Sequence, residues 1–143
     1  MISLKMRLAW LVFLAGVLQA AALDGVAVIA NKNVPVGDIS IAVLKDIYTG
    51  RTTYWADGQS VKLAVLGDQT NDQTDVALEE VSGMNTSHFK TFWQRMVFSG
   101  RGQQPQKFGD TAALMAYVAA TKGAIAIVFA DASLKGVKKL EIK

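Results

Sequence analysis

Arg101 stands between two glycines in the segment GRG at 100–102, in a loop that also holds Pro105. A charged side chain on a glycine-rich loop is a candidate ligand contact, because binding residues concentrate on loops held by a rigid scaffold. Lys32 and Asn33 follow the apolar run VAVIA at 26–30. They fall at the carboxyl end of a predicted strand, where ligands of open α/β sheets tend to bind; Asn33 serves equally as a turn residue. Gln69, Thr70 and Asn71 precede a predicted helix, where hydroxyls and unpaired backbone amides can hold a neutral or cationic ligand. The chemistry these residues offer is non-covalent recognition.

Bond-making chemistry has little to work with. The chain has one histidine, His88, and no cysteine. A nucleophilic triad would need Ser82, Ser87 or Ser99 beside His88, and no nucleophile-elbow motif surrounds any of them. An enzyme is not expected. Asp68, Asn71, Asp72 and Asp75 lack the alternating spacing and the glycine of a calcium loop, so neither metal nor cofactor is expected.

The elements that must position the candidates can be read from periodicity and punctuation. VAVIA and AIAIVFA are continuous apolar runs, the pattern of strands buried on both faces. VKLAVL at 61–66 alternates, and VKKLEIK at the end reads as a late edge strand whose lysines discourage further pairing. Between them, Ser40 caps a helix with Ile41, Leu44, Ile47 and Tyr48 on one face, and Gly50 suits its left-handed stop. Thr70 and Gln73 have capping-box spacing ahead of a helix over 71–81. Asn85 or Thr86 caps a third helix, in which Phe89, Phe92, Trp93, Met96 and Val97 form an apolar stripe. Asp110 caps a fourth that Gly123 stops, and FSGRGQQPQKFG between the last two reads as loop. Arg51 and Trp55, just past the first helix, can line a ligand cleft or can pack over the helix end. Strands alternating with helices imply an α/β sandwich with a mostly parallel or mixed sheet flanked by helices.

The chain has 143 residues, 51% of them hydrophobic, enough for one domain with a core and too few for two. The net charge of +3 does not ask for nucleic acid. Lys5 and Arg7 precede an apolar run at 8–18 and then Ala20, Ala21 and Ala22. That is the order of a secretory signal, with cleavage expected after Ala22; the run is short for a membrane span. Residues 1–22 are therefore read as a signal peptide and 23–143 as the domain, periplasmic or secreted. Membrane contact would come only through a partner or an uncleaved signal.

Ile47, Tyr48, Gly50, Arg51 and Trp55, after a proline loop and a serine-capped helix, resemble a lobe of the phosphate-type solute-binding proteins of ABC transporters, in the type 2 periplasmic-binding-protein superfamily. Phe92, Trp93, Phe98, Gly100, Arg101, Gly102 and Pro105 are similar to the short members of that family, and GAIAIV at 123–128 stands where they usually have a glycine and a tyrosine in place of Ala126 and Ile127. The resemblance implies a single periplasmic-binding-protein-like lobe, since two-lobed receptors need roughly twice this length. It also implies an oxyanion site at the helix start following residues 61–66, where phosphate binders carry an arginine and a Ser-Gly-Thr turn. Here that stretch is LGDQTNDQTDVALEE, with no arginine and with Asp68, Asp72 and Asp75. Each carboxylate would repel phosphate by about 1 kcal/mol at 4 Å in water and more where water is excluded. The expected function is solute recognition without tight phosphate binding. The alternative is a protein-interaction module serving an envelope transporter or sensor.

Overall fold

The computed structural model describes residues 23–67 and 73–143. The expected signal peptide, and Gln69, Thr70 and Asn71 among the candidate ligand contacts, lie outside the described residues. Six strands form one sheet: β1 (Val26–Asn31), β2 (Asp38–Ile39), β3 (Lys62–Leu66), β4 (Gln106–Phe108), β5 (Ala124–Phe129) and β6 (Val137–Ile142). The described helices are α1 (Ile41–Tyr48), α2 (Gln73–Ser82), α3 (Thr86–Phe98) and α4 (Thr111–Ala120).

The strand order is β2-β6-β1-β5-β3-β4. β5 pairs in parallel with β3, β3 with β4, and β6 with β2. β1 runs antiparallel to both β5 and β6. The sheet is thus mixed.

The two apolar runs are divided between two cores by the period of two along a strand. Val26, Val28 and Ala30 of β1 and Ile125 and Ile127 of β5 face α1, α2 and α3, joining Leu44, Ile47, Tyr48, Leu78, Val81, Phe89 and Trp93. Ala27 and Ile29 of β1, with Ala124, Ala126 and Val128 of β5 and Ala64 of β3, face α4 through Leu114, Met115 and Val118. The alanines on this second face let α4 lie close to the sheet. Large side chains on the first face fill the thicker layer under three helices.

Caps hold the helices where the sequence places them. Ser40, Asn85 and Asp110 accept hydrogen bonds from the amides of Val43, His88 and Ala113 at 3.2, 2.8 and 2.7 Å. α1 and α3 end by the same device. Arg51 N donates to Asp46 O at 2.8 Å and Gly50 N to Ile47 O at 3.2 Å; Arg101 N donates to Met96 O at 2.9 Å and Gly100 N to Val97 O at 3.0 Å. These are Schellman turns, and each needs a residue at positive φ, here Gly50 at 73° and Gly100 at 74°. In the stripe of α3, Phe89 and Trp93 are buried, Phe92 and Met96 are half-buried, and Val97 is exposed.

Two expectations are corrected. β6 is not the outermost strand, because Asp38 and Ile39 pair with its Glu141 and Ile142 as the two-residue β2. Its Lys138 reaches back to the Val34 carbonyl rather than into open solvent. Part of the segment read as loop is β4, which adds in parallel to Ala64, Val65 and Leu66. Elements of two and three residues are too short to show a period, so hydropathy cannot announce them.

Asn31 closes β1. Its side-chain amide donates to the Val118 and Ala119 carbonyls at 2.9 and 3.1 Å, and its Oδ1 accepts from Asn33 N at 3.0 Å. It therefore joins the end of β1 to the last turn of α4. Asn31→Ala leaves buried backbone groups without these partners and should lower the unfolding free energy by about 2–3 kcal/mol in urea titration. An unchanged midpoint would mean that water replaces the amide.

Candidate functional site

The strand directions sort the candidate residues. The carboxyl end of β1, where Lys32 and Asn33 follow, lies beside the amino ends of β5 and β3, through the pairs Ala30 with Ile125 and Lys62 with Ala124. Arg101 leads towards β4, whose amino end is on that same side. Gly67 and Gln73, which flank residues 69–71, lie at the other end of β3, about 15 Å away by strand rise. Gln73 there packs so closely on Gly25, before β1, that a Cβ on the glycine would lie 2.6 Å from its Oε1. Lys32, Asn33 and Arg101 thus share one end of the sheet, and Gly67 and Gln73 mark the opposite end. Asn33 is partly committed to structure, since its carbonyl accepts from Gln59 Nε2 at 2.9 Å.

The two ends differ in charge. The connections at the Arg101 end, residues 32–37, 49–61, 99–105 and 121–123, carry Lys32, Arg51, Arg101 and Lys122 against Asp57. At the other end stand Asp24 before β1, Asp75 in the first turn of α2, the cap Asp110, and Asp131 after β5. Asp68 and Asp72 belong by sequence to the connection between β3 and α2, outside the described residues. Acidic groups near helix starts and basic groups near helix ends each complement the helix dipole by about 0.3–1 kcal/mol. Lys107, with its stem against Gly67, and Lys143, paired with Asp38 at 3.1 Å, are cations at the acidic end. Sequence reasoning missed Lys107 because it lies in the segment read as loop.

Beside the start of α2 the described residues leave a cavity of about 20 Å³, bounded by Tyr48, Leu66, Thr74, Asp75 and Ile127 among others. That is room for one water. A wider depression of about 600 Å³ at the same end lies between the start of α4 and the end of β5. Thr74 is buried. Burial pushes the Tyr48 phenol well above its usual pKa, against a smaller opposing effect of a hydrogen bond with the Ile127 backbone. It is a neutral wall at any physiological pH.

At the basic end there is a groove of about 410 Å³. One wall is the loop at 52–61 running into Lys62, the other is residues 100–104, and Trp93 and Tyr117 also line it. Trp93 is wedged between the two Schellman turns. A Cβ on Gly50 would lie 3.2 Å from Trp93 Cη2 and 2.8 Å from Met96 Cε, and one on Gly102 would lie 3.1 Å from Trp93 Cζ3. Trp93 Nε1 donates to the Tyr48 carbonyl at 3.1 Å. Gly50 is therefore both a helix stop and a place of close approach.

Trp55 is buried and packs, as one of its two readings had it, while Arg51 is exposed. Trp55 Nε1 donates to Gly123 O at 2.9 Å, and Lys62 N donates to that same oxygen at 3.0 Å. Val61 N donates to Thr53 O and Trp55 N to Gln59 O, so the loop is closed on itself before Trp55 fastens it to the sheet. Lys62 was not a candidate from sequence, where it is one polar position in an alternating strand. Its Nζ donates to Gln103 Oε1 at 2.7 Å across the groove.

Comparison with known proteins settles the family. The profile of a PBP superfamily domain matches residues 17–141. The chain belongs to the periplasmic-binding-protein superfamily. A phosphate ABC transporter substrate-binding protein from Clostridium perfringens, solved with bound phosphate, superposes with a TM-score of 0.64 at 21% identity, over 82% of this chain and 44% of that one. An ABC-type phosphate transport receptor from Vibrio cholerae gives 0.59 at 20% identity, over 82% and 46%. PstS from Borrelia burgdorferi gives 0.63 at 11% identity, over 83% and 47%. These likenesses establish a shared fold. A phosphate-binding protein PstS 2 from Streptococcus agalactiae is 53% identical over 36 residues, 25% of this chain and 12% of that protein. The chain spans less than half the length of the relatives it matches. It is related to the substrate-binding proteins of phosphate ABC transporters.

Gly123 has φ 81°, and a Cβ there would lie 2.0 Å from the Ser60 carbonyl oxygen. Gly123→Ala should lower stability by about 3 kcal/mol in urea titration, by strain and overpacking together. Gly37, with open space around it, is the control, and Gly37→Ala should change stability by less than about 1 kcal/mol. Equal effects of the two substitutions would contradict the close packing of Gly123 on the Ser60 carbonyl.

Proposed function

We propose that residues 23–143 act as one lobe of an exported binding protein that recognises its solute without covalent chemistry, and that inorganic phosphate is not held tightly at the start of α2. The single observation behind this reading is the acidic end of the sheet. There Asp75 occupies the first turn of α2, and the cavity beside it has room for one water. Helix starts attract anions through their amides and dipole, but a full carboxylate in the first turn outweighs the half charge of the dipole. The same end suits a neutral or cationic solute, with Thr74 and the 69–71 segment as candidate contacts. A cleft encloses most of a ligand's surface, so a second body supplies the wall that residues 23–143 do not. An envelope transporter or sensor component is the partner that an exported lobe of this family would meet. Export rests on the order of charge, apolar run and small residues in 1–22.

A second reading, an interaction module without a solute, is favoured by one feature. Phe98 at the end of α3 is 97% exposed, beside the exposed Val97. Exposed aromatic residues are common anchors of protein interfaces.

Calorimetric titration of the purified chain with inorganic phosphate should show no site with a dissociation constant in the micromolar range. A ligand at a hundred times its dissociation constant would add about 2.7 kcal/mol of stability, so the thermal midpoint should also stay still. Micromolar phosphate binding abolished by Thr74→Val would overturn the reading.

A further inference from the structure

We propose that the groove between residues 52–62 and 100–104 is a second binding site, for a small organic molecule carrying a phosphate ester. It lies at the opposite end of β3 from the start of α2, and so does not depend on the function proposed for that end.

The volume of about 410 Å³ falls in the range of small-molecule sites. Lys62 and Arg101 bring two cations to the lining, and no Asp or Glu lines it among the described residues. The hydroxyls of Thr52, Thr53 and Ser60 also line it. A guanidinium is charged at every accessible pH and presents paired donors that match phosphate oxygens. An ammonium has three donors, and Gln103 takes one from Lys62. The exposed Tyr54 and the half-buried Tyr117 add aromatic surface for the organic part, which a bare inorganic ion would leave uncovered.

Both cations stand on fixed backbone. Arg101 N is bonded to Met96 O in the Schellman turn, and Lys62 N to Gly123 O. Preorganised walls reduce the entropy lost on binding. One effect opposes the proposal: α1 and α3 end here, and helix carboxyl ends carry partial negative charge. The Schellman turns occupy the carbonyls of Asp46, Ile47, Met96 and Val97, and two full positive charges exceed the half charges of two helix ends. The connections at this end add Lys32, Arg51 and Lys122 against Asp57, so the surrounding field also favours an anion.

The test is titration of the full chain with phenyl phosphate, inorganic phosphate and benzoate, followed by calorimetry and thermal shift. Phenyl phosphate should bind saturably below about 1 mM and more tightly than the other two. Arg101→Gln and Lys62→Gln should each weaken it about tenfold while leaving the unliganded thermal midpoint unchanged, and Asp75→Asn should have no effect on affinity. Four outcomes would overturn the proposal: no saturable binding; binding that both variants leave intact; binding that Asp75→Asn alters as much as they do; and inorganic phosphate binding as tightly as the ester, which would leave a site for a simple ion.

Discussion

β1 runs against both of its neighbours, and the arrangement of every loop follows from that reversal. A strand antiparallel to β5 and β6 delivers its carboxyl end where β3, β4, β5 and β6 begin. The loop after β1 therefore meets the loops before β3 and β4, and the chain before β1 meets the start of α2. Had β1 run parallel to β5, Lys32 and Asn33 would have stood beside Gly67 and Gln73. With β1 reversed, they join Arg101 and Lys62 on the far side. The register is firmly set, because a slip of one residue would exchange Val28 and Ile29 between the two cores.

The reversal also sorts charge. Asp75 and Asp110 belong at helix starts and Arg51 and Arg101 just past helix ends, so each is stabilised locally by the helix it borders. Because α2 and α4 start at one end of the sheet, and α1 and α3 end at the other, those local preferences add up to one acidic and one basic end. The acidic end is the one where phosphate-type binding proteins would be expected to use a helix start. The basic end has a groove lined by two cations, and its floor is rigid because Trp93 sits between two glycine turns and Trp55 shares the Gly123 carbonyl with Lys62. Gly50, which stops α1, and Gly102, two residues past the stop of α3, let those loops close on Trp93. At Gly50, fold punctuation and groove construction are one residue.

Much of this was legible in the sequence where a residue acts locally. Ser40, Asn85, Asp110 and Gly50 do what their types and positions suggest, because caps and left-handed stops depend only on neighbours within a few residues. VAVIA and AIAIVFA read correctly as strands covered on both faces. What was not legible depends on pairing. Nothing in VKKLEIK reveals that two residues near 38 will lie along it, and QKF is too short to carry a period. The direction of β1 is likewise set by contacts across the sheet, so sequence reasoning could not separate Gly67 and Gln73 from Arg101. Lys62 was overlooked because its role comes from Gln103, forty-one positions away, and Asn31 because its partners are in α4.

The central claim is that the lobe's anion-recognising surface is the basic end of the sheet and not the start of α2. Backbone amide mapping by NMR, with phenyl phosphate added to the isotope-labelled chain, tests it most directly. The account predicts shifts confined to residues 52–62 and 100–104, with 66–75 and 107–111 unmoved. Shifts gathered at 66–75, with the basic end silent, would contradict it.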